Sequence, residues 1–403
     1  MRVLFITGEF PPMQGGVGDC TNEIALALAQ RGAEVSILTT ALPSPAPYPP
    51  SPITVLPLIQ TWNWSALAQI RKTISEIRPD IVHIQYQTGA FGQQPMINFA
   101  PRFFPSNAKR VVTFHDLLPM YLFPKAGRVR DWVTFQLART SDAVIATNQA
   151  DYEKLATANL KLETLIPIGS NIAPPAAIIS SSARNLLRAQ LGVQPNEILL
   201  CYFGFLNASK GGETLIRALA EIPNAKLLML GGQTGESDVT NLAYLAQVKK
   251  LIDELNLTRR VIWTDFMPPA EISARFYASD ICVLPYRDGA SYRRGTFMAA
   301  LAHGMAIVTT DVGAKHSQTR TPIEVQAASA NASPLPRLRD GENVLLVPPD
   351  DTHAIADAVK RIVASPELRA KLQRGALDTA QFFTWDKIAD AHLALYKSLL
   401  HKN

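Results

Sequence analysis

The chain has 403 residues, 47% of them apolar and 18% charged, and a net charge of +5. It is long for one domain and too apolar for a disordered chain, and it lacks the run of roughly 18 apolar residues a membrane span needs. Cys20, Cys201 and Cys282 have no metal-like or disulfide-framework spacing, and no aromatic-basic sheet motif or basic recognition helix points to nucleic acid.

Met1 runs straight into Arg-Val-Leu-Phe-Ile, a strand pattern and not a secretory leader, so a cytoplasmic protein is expected. The modest excess of base permits contact with anionic substrates or lipid headgroups. Strands are predicted at 2–7, 34–39, 81–85, 110–115, 143–147 and 162–166, alternating with helical patterns at 19–31 and 62–78. The proline-rich stretch 41–57 reads as an irregular excursion. Pro and Ser mark a joint at 171–182. The alternation then restarts, with strands at 198–203, 226–230, 261–264, 281–284, 306–309 and 344–347 and helices at 211–220 and 242–255. Residues 313–340 carry no clear periodicity, a length that in a compact domain marks a functional or mobile loop. Helices at 351–363 and 385–401 close the chain. The fold expected is α/β, two facing doubly wound Rossmann-like domains with a cleft between them.

Four places carry candidate chemistry. Gly15 and Gly16, in Met13-Gln-Gly-Gly-Val-Gly-Asp19, lie between a strand and a helix, where glycine lets backbone approach a phosphate or sugar. The spacing is not that of a dinucleotide fingerprint, and no acidic ribose anchor ends the second strand. His115 follows a strand; it either serves a sugar hydroxyl or a developing charge, or caps local backbone, whereas His83 reads as a satisfied core group. Lys210, in Gly204-Phe-Leu-Asn-Ala-Ser-Lys210, is either a phosphate ligand or a surface lysine at a turn. The richest stretch, Pro285 to Thr310, brings Arg287, Arg293 and Arg294 to the start of a helix whose first amides lack partners, and a diphosphate is the anion this suits. No metal cluster is visible, so phosphate would be handled by Lys, Arg and amides without a metal or other cofactor.

Taken together, Gly15-Gly-Val-Gly18, Thr113-Phe-His-Asp116, Ile166-Pro-Ile-Gly-Ser-Asn171, Gly204 to Gly211, Ala299 to Thr310 and Asp340-Gly-Glu-Asn resemble the retaining glycosyltransferases of family 4, with the GT-B fold. The resemblance covers nearly the whole chain. It implies an N-terminal acceptor-side domain at 1–172, a linker at 173–190, a C-terminal domain at 191–384 that binds the nucleotide sugar, of UDP or GDP type, and a helix at 385–403 that packs back on the first domain. It implies further that Gly16 approaches the donor phosphates, that His115 touches the donor sugar, that Lys210 binds the diphosphate, and that the amides of Gly295, Thr296 and Phe297 hold phosphate or sugar oxygens. The acceptor would be a glycan or lipid-linked sugar, with peripheral contact at the inner membrane face. Three departures stand out. Phe205 occupies the position of an arginine, and Ser291 and Ala299 those of two glutamates. Arg287, Arg293 and Arg294 are the candidate replacements for the lost cation, and Asp288 is the nearest carboxylate for the sugar. The rival readings are a glycosyltransferase-like binder without turnover and a sugar-nucleotide epimerase on the same scaffold.

Overall fold

The computed structural model describes residues 1–13, 15–42, 51–105, 107–117, 127–157, 163–175, 179–233, 239–311 and 335–401. The chain divides into two compact units, Met1–Gly169 with Phe383–Asn403, and Ser170–Gln326 with Leu335–Phe382.

The first unit is built on strands β1 (Arg2–Thr7), β2 (Glu34–Thr40), β3 (Ile53–Ile59), β4 (Ile81–Tyr86), β5 (Lys109–Phe114), β6 (Ala143–Ala146) and β7 (Glu163–Leu165). Between them run helices α1 (Gly16–Gln30), α2 (Ala66–Ile77), α3 (Met96–Phe99), α4 (Gly127–Thr140) and α5 (Gln149–Ala156). All the strands are parallel, in the order β3-β2-β1-β4-β5-β6-β7. Every residue of β4 is buried, as expected of a strand covered on both faces. The strand order, which runs outward from β1 to β3 on one side, turns to the other side between β1 and β4, the switch point where the strand ends open a crevice in folds of this type.

The second unit repeats the plan with β8 (Ile198–Phe203), β9 (Ala225–Leu230), β10 (Val261–Trp263), β11 (Ile281–Leu284), β12 (Ile307–Thr310) and β13 (Leu345–Val347). Its helices are α6 (Ser181–Gln190), α7 (Gly212–Ala220), α8 (Val239–Glu254), α9 (Pro269–Ala278), α10 (Gly295–Ala302), α11 (Thr352–Ala364) and α12 (Pro366–Ala380). The parallel order β10-β9-β8-β11-β12-β13 puts its switch point between β8 and β11.

The last helix, α13 (Trp385–His401), belongs to the first unit. Ile388, Ala389, Tyr396 and Leu399 join a core that also holds Phe5, Ile24, Leu28 and Ile145. Arg31, one residue past α1, fixes the seam from outside with ion pairs to Asp386 at 2.8 Å and Asp390 at 2.6 Å.

Three expectations change. The stretch 41–57 was expected to be irregular, yet its described end begins β3; Pro57 is tolerated there because β3 is an edge strand. Residues 43–50 lie outside the described residues, as do residues 313–334 of the aperiodic stretch. The expected linker 173–190 contains α6, which Arg184 and Arg188 anchor to Asp280 at 2.6 and 2.9 Å. Helix α12 was not anticipated. Its apolar face is little more than Leu372 and Ala376, and Gly375 lies so close to the Glu342 carbonyl that a Cβ would stand 2.2 Å from it.

Candidate active site

At the second switch point, the loops after β8 and β11 are drawn together by glycine. Gly204 has φ +118°, and a Cβ there would lie 2.6 Å from the Thr296 methyl; at Gly211, φ +68°, it would lie 2.0 Å from the Pro285 carbonyl oxygen. Only a residue without a side chain fits either position. The result is a short turn, Ala208–Lys210, set against the start of α10.

Tyr286 is the floor of this site. Fully buried, it shares a 2.8 Å hydrogen bond with Thr296 Oγ1, and two cations lie over its ring, Arg294 Cζ at 4.1 Å and Lys210 Nζ at 5.1 Å from the centroid. The Arg294 side chain is 10% exposed. One Nη is bound by the Asp288 carboxylate, while its Nε is buried without a partner. Burial, and Arg294 beside it, push the Lys210 ammonium down to about 7. Two crowded cations, one lowered in pKa and one holding an unused donor, make a site short of negative charge.

Helix α10 adds backbone. Arg294 is its N-cap in extended conformation, and no side chain caps the first turn. The Phe297 and Met298 amides both donate to the Arg294 carbonyl. The expectation for three amides therefore narrows to Gly295 and Thr296, since the Phe297 amide is engaged within the helix and its ring is fully buried. Ser291 receives the Arg293 amide on its hydroxyl at 3.4 Å and the Arg294 amide on its carbonyl at 3.1 Å, so it shapes the loop. Asp288, expected near a sugar, is committed to Arg293 and Arg294. Arg287 is drawn away to Asp350 at 2.7 Å. Of the three arginines, Arg294 alone is both buried and beside Lys210. Phe205 is partly exposed, packs its ring where a side chain on Gly232 would be, and accepts the Tyr202 hydroxyl on its carbonyl.

The first unit's candidates lie at the ends of β1 and β5. Gly15 is the N-cap of α1, and a Cβ there would collide with the Glu9 carboxylate at 2.1 Å. Glu9 Oε1 accepts from the Val17 and Gly18 amides at 3.0 and 3.3 Å, with its pKa raised by burial. The expectation that the glycine loop receives a phosphate meets an obstacle here, because the helix start already holds a carboxylate of the chain's own. Gly16 is exposed with open space beside it. His115 donates its amide to the Tyr86 carbonyl at 3.0 Å and bonds Gln85 Oε1 through Nε2 at 2.7 Å. Burial, with His392 adding to it, lowers its pKa to about 4.

Tyr286, Glu9 and Gln85 were not singled out in the sequence. The signal for Gln85 was its spacing of two from His83 in an apolar strand, which puts both on one face. Nothing local marks Glu9.

A glycosyl transferase 4-like domain model matches residues 15–169, and a glycosyl transferases group 1 model matches residues 197–365. The chain carries both glycosyltransferase domains and is a glycosyltransferase. This glycosyltransferase is 26% identical over 98% of its length to 96% of the D-inositol 3-phosphate glycosyltransferase of Xylanimonas cellulosilytica. A second such enzyme, from Saccharomonospora viridis, is 29% identical over 54% of this chain and 47% of its own. In fold it is similar to sucrose-phosphate synthase from Thermosynechococcus elongatus (TM-score 0.75, 22% identity, 100% of both chains). It is also similar to Anabaena HepE in complex with UDP and glucose (TM-score 0.74, 20% identity, 99% of this chain and 100% of that one). Both are consistent with two parallel-sheet α/β domains of the GT-B type.

Proposed function

We propose that this glycosyltransferase takes its sugar from a nucleoside diphosphate donor, with retention of configuration, and that the diphosphate lies against Lys210, Arg294 and the free amides of Gly295 and Thr296. One observation carries the reading: Lys210 and Arg294 lie over the same buried Tyr286 ring at the start of α10, with the Arg294 Nε unpaired. Departure of a nucleoside diphosphate builds up negative charge, which preorganised cations and amides stabilise. Arg294 supplies the cation that Phe205 does not. UDP is the favoured nucleotide, because HepE was solved with UDP and UDP-glucose.

The glycine loop at Gly16 has a lesser part, given the Glu9 carboxylate beside it. His115 meets a sugar hydroxyl. The resemblance supports retention and a glycan or lipid-linked acceptor met at the inner membrane face. The full-length relative makes a phosphorylated inositol the first acceptor to try. Among the described residues no helix is long and apolar enough to cross a membrane.

Calorimetric titration of the full chain with UDP tests the site. Lys210→Ala and Arg294→Ala should each weaken binding roughly tenfold or more, the size of a lost charge-assisted hydrogen bond. Unchanged affinity in both would sink the assignment. Binding of UDP without Lys210-dependent turnover of UDP-glucose on any acceptor would instead favour the reading of a binder without catalysis.

A further inference from the structure

His115 ends a chain of buried polar side chains that starts on the last helix. Tyr396 Oη lies 2.5 Å from His83 Nδ1; His83 Nε2 lies 2.8 Å from Thr113 Oγ1 and 3.4 Å from Gln85 Nε2; Gln85 Oε1 lies 2.7 Å from His115 Nε2. His83, Gln85 and Tyr396 are each 0% exposed. Groups this deep must match donor to acceptor, because an unmatched one costs about 1–3 kcal/mol.

Matching leaves two self-consistent arrangements. An amide oxygen only accepts and an amide nitrogen only donates. With Gln85 Oε1 toward His115, the His115 hydrogen is on Nε2. The Thr113 hydroxyl then donates to His83 Nε2 at 2.8 Å, with Gln85 Nε2–H sharing the same lone pair at 3.4 Å, and His83 Nδ1–H donates to Tyr396 Oη. Turning the amide over reverses the sequence: His83 carries its hydrogen on Nε2, Tyr396 donates to His83 Nδ1, and His115 carries its hydrogen on Nδ1. The tautomers of the two histidines are therefore tied together through Gln85. Charge does not blur the choice, because burial lowers the pKa of His83 and His115, and that of His392 beside them, so that the rings stay neutral near pH 7.

We propose that Gln85, His83 and Tyr396 are positioning residues that fix the His115 tautomer, with the hydrogen on Nε2 and Nδ1 presented as an acceptor for a substrate hydroxyl. The first part stands on the hydrogen-bond chain alone; the second rests on the functional reading of His115 given above. It gives α13 a part in the chemistry through a side chain that never touches substrate.

The test is the nitrogen chemical shifts of His115 in the ligand-free full chain. The wild type should show a protonated Nε2. Tyr396→Phe, which deletes one hydroxyl and keeps the ring, should move the hydrogen to Nδ1 by taking away the acceptor of His83. Adding Gln85→Glu, whose carboxylate only accepts, should return it to Nε2. A folded Tyr396→Phe chain in which His115 keeps its Nε2 hydrogen overturns the inference. In turnover of UDP-glucose, Tyr396→Phe should lower kcat roughly tenfold, since presenting the wrong tautomer costs catalysis, and leave UDP affinity unchanged. If His115→Ala leaves turnover intact, the role of His115 in catalysis falls while the tautomer result stands.

Discussion

Lys210 depends for its charge on what lies beside it. Burial lowers its pKa to about 7, and an anion in contact would favour the charged form and raise it again. Above about pH 7 Lys210 in the empty site is increasingly neutral, so UDP binding takes up a proton there and affinity falls as pH rises. Calorimetry at about pH 7.5 in buffers of low and high ionisation enthalpy should give different apparent enthalpies, and Lys210→Ala should remove most of the difference. A buffer-independent enthalpy in the wild type would count against it. Neighbouring arginines should respond unequally. Arg287→Ala loses a partly exposed guanidinium already paired with Asp350 and should weaken UDP binding less than about threefold, against the larger loss at Arg294. The arrangement behind the proposed roles was only partly legible in the sequence. Strand-end placement pointed to Lys210 and to the arginine loop, but three arginines within eight residues look alike until Asp350 and Asp288 are seen to divide them. Gly15 shows the converse: it read as room for a ligand, and the Glu9 carboxylate lies where its Cβ would be.

Elements differ in how much one change disturbs them. Gly211→Ala combines a left-handed backbone with a Cβ 2.0 Å from the Pro285 oxygen, so it should cost about 2 kcal/mol or more in urea unfolding. Gly16→Ala, with nothing near its Cβ, should stay within about 0.5 kcal/mol of the wild type. Deleting α13 removes Ile388, Tyr396 and Leu399 from the core, at about 1.5–3 kcal/mol each, and should unfold the first unit as followed by circular dichroism. Arg31→Ala breaks pairs with aspartates that are 78% and 66% exposed and should cost about 1 kcal/mol or less. The legibility of elements follows the same physics. Strands buried on both faces announce themselves as apolar runs, and α13 could be read to the residue because its apolar side is wide. Helix α12 is held by Thr379, Gly375 and a nearby turn more than by an apolar stripe, so its pattern is faint.

For the whole molecule, two sheets of the same design end in different surroundings. The second unit holds the uncapped helix start with its cations; at the corresponding place the first holds Glu9. Hydrogen exchange of the full chain with and without UDP should therefore slow around β8, β11 and α10 and leave β1 to β3 unchanged. At a hundredfold excess over Kd the binding adds about 2.7 kcal/mol to whichever unit holds the ligand. Slowing confined to the first unit would reverse the assignment. The doubling of the fold was legible from the restart of the strand-helix rhythm after residue 190. The exact hand-over between units was not, because helix α6 looks like a spacer until Asp280 is seen to hold it.

The return of the final helix also sets an order of events in the cell. A nascent chain emerging from the ribosome presents Met1–Gly169 well before Tyr396 and Leu399, which complete that unit's interior. At ordinary rates of synthesis the gap is roughly ten to forty seconds, during which the first unit has an open apolar seam beside Ile24 and Leu28. Chaperone dependence should therefore be concentrated in that interval, and a ribosome stalled shortly before Trp385 should hold an unfinished first unit.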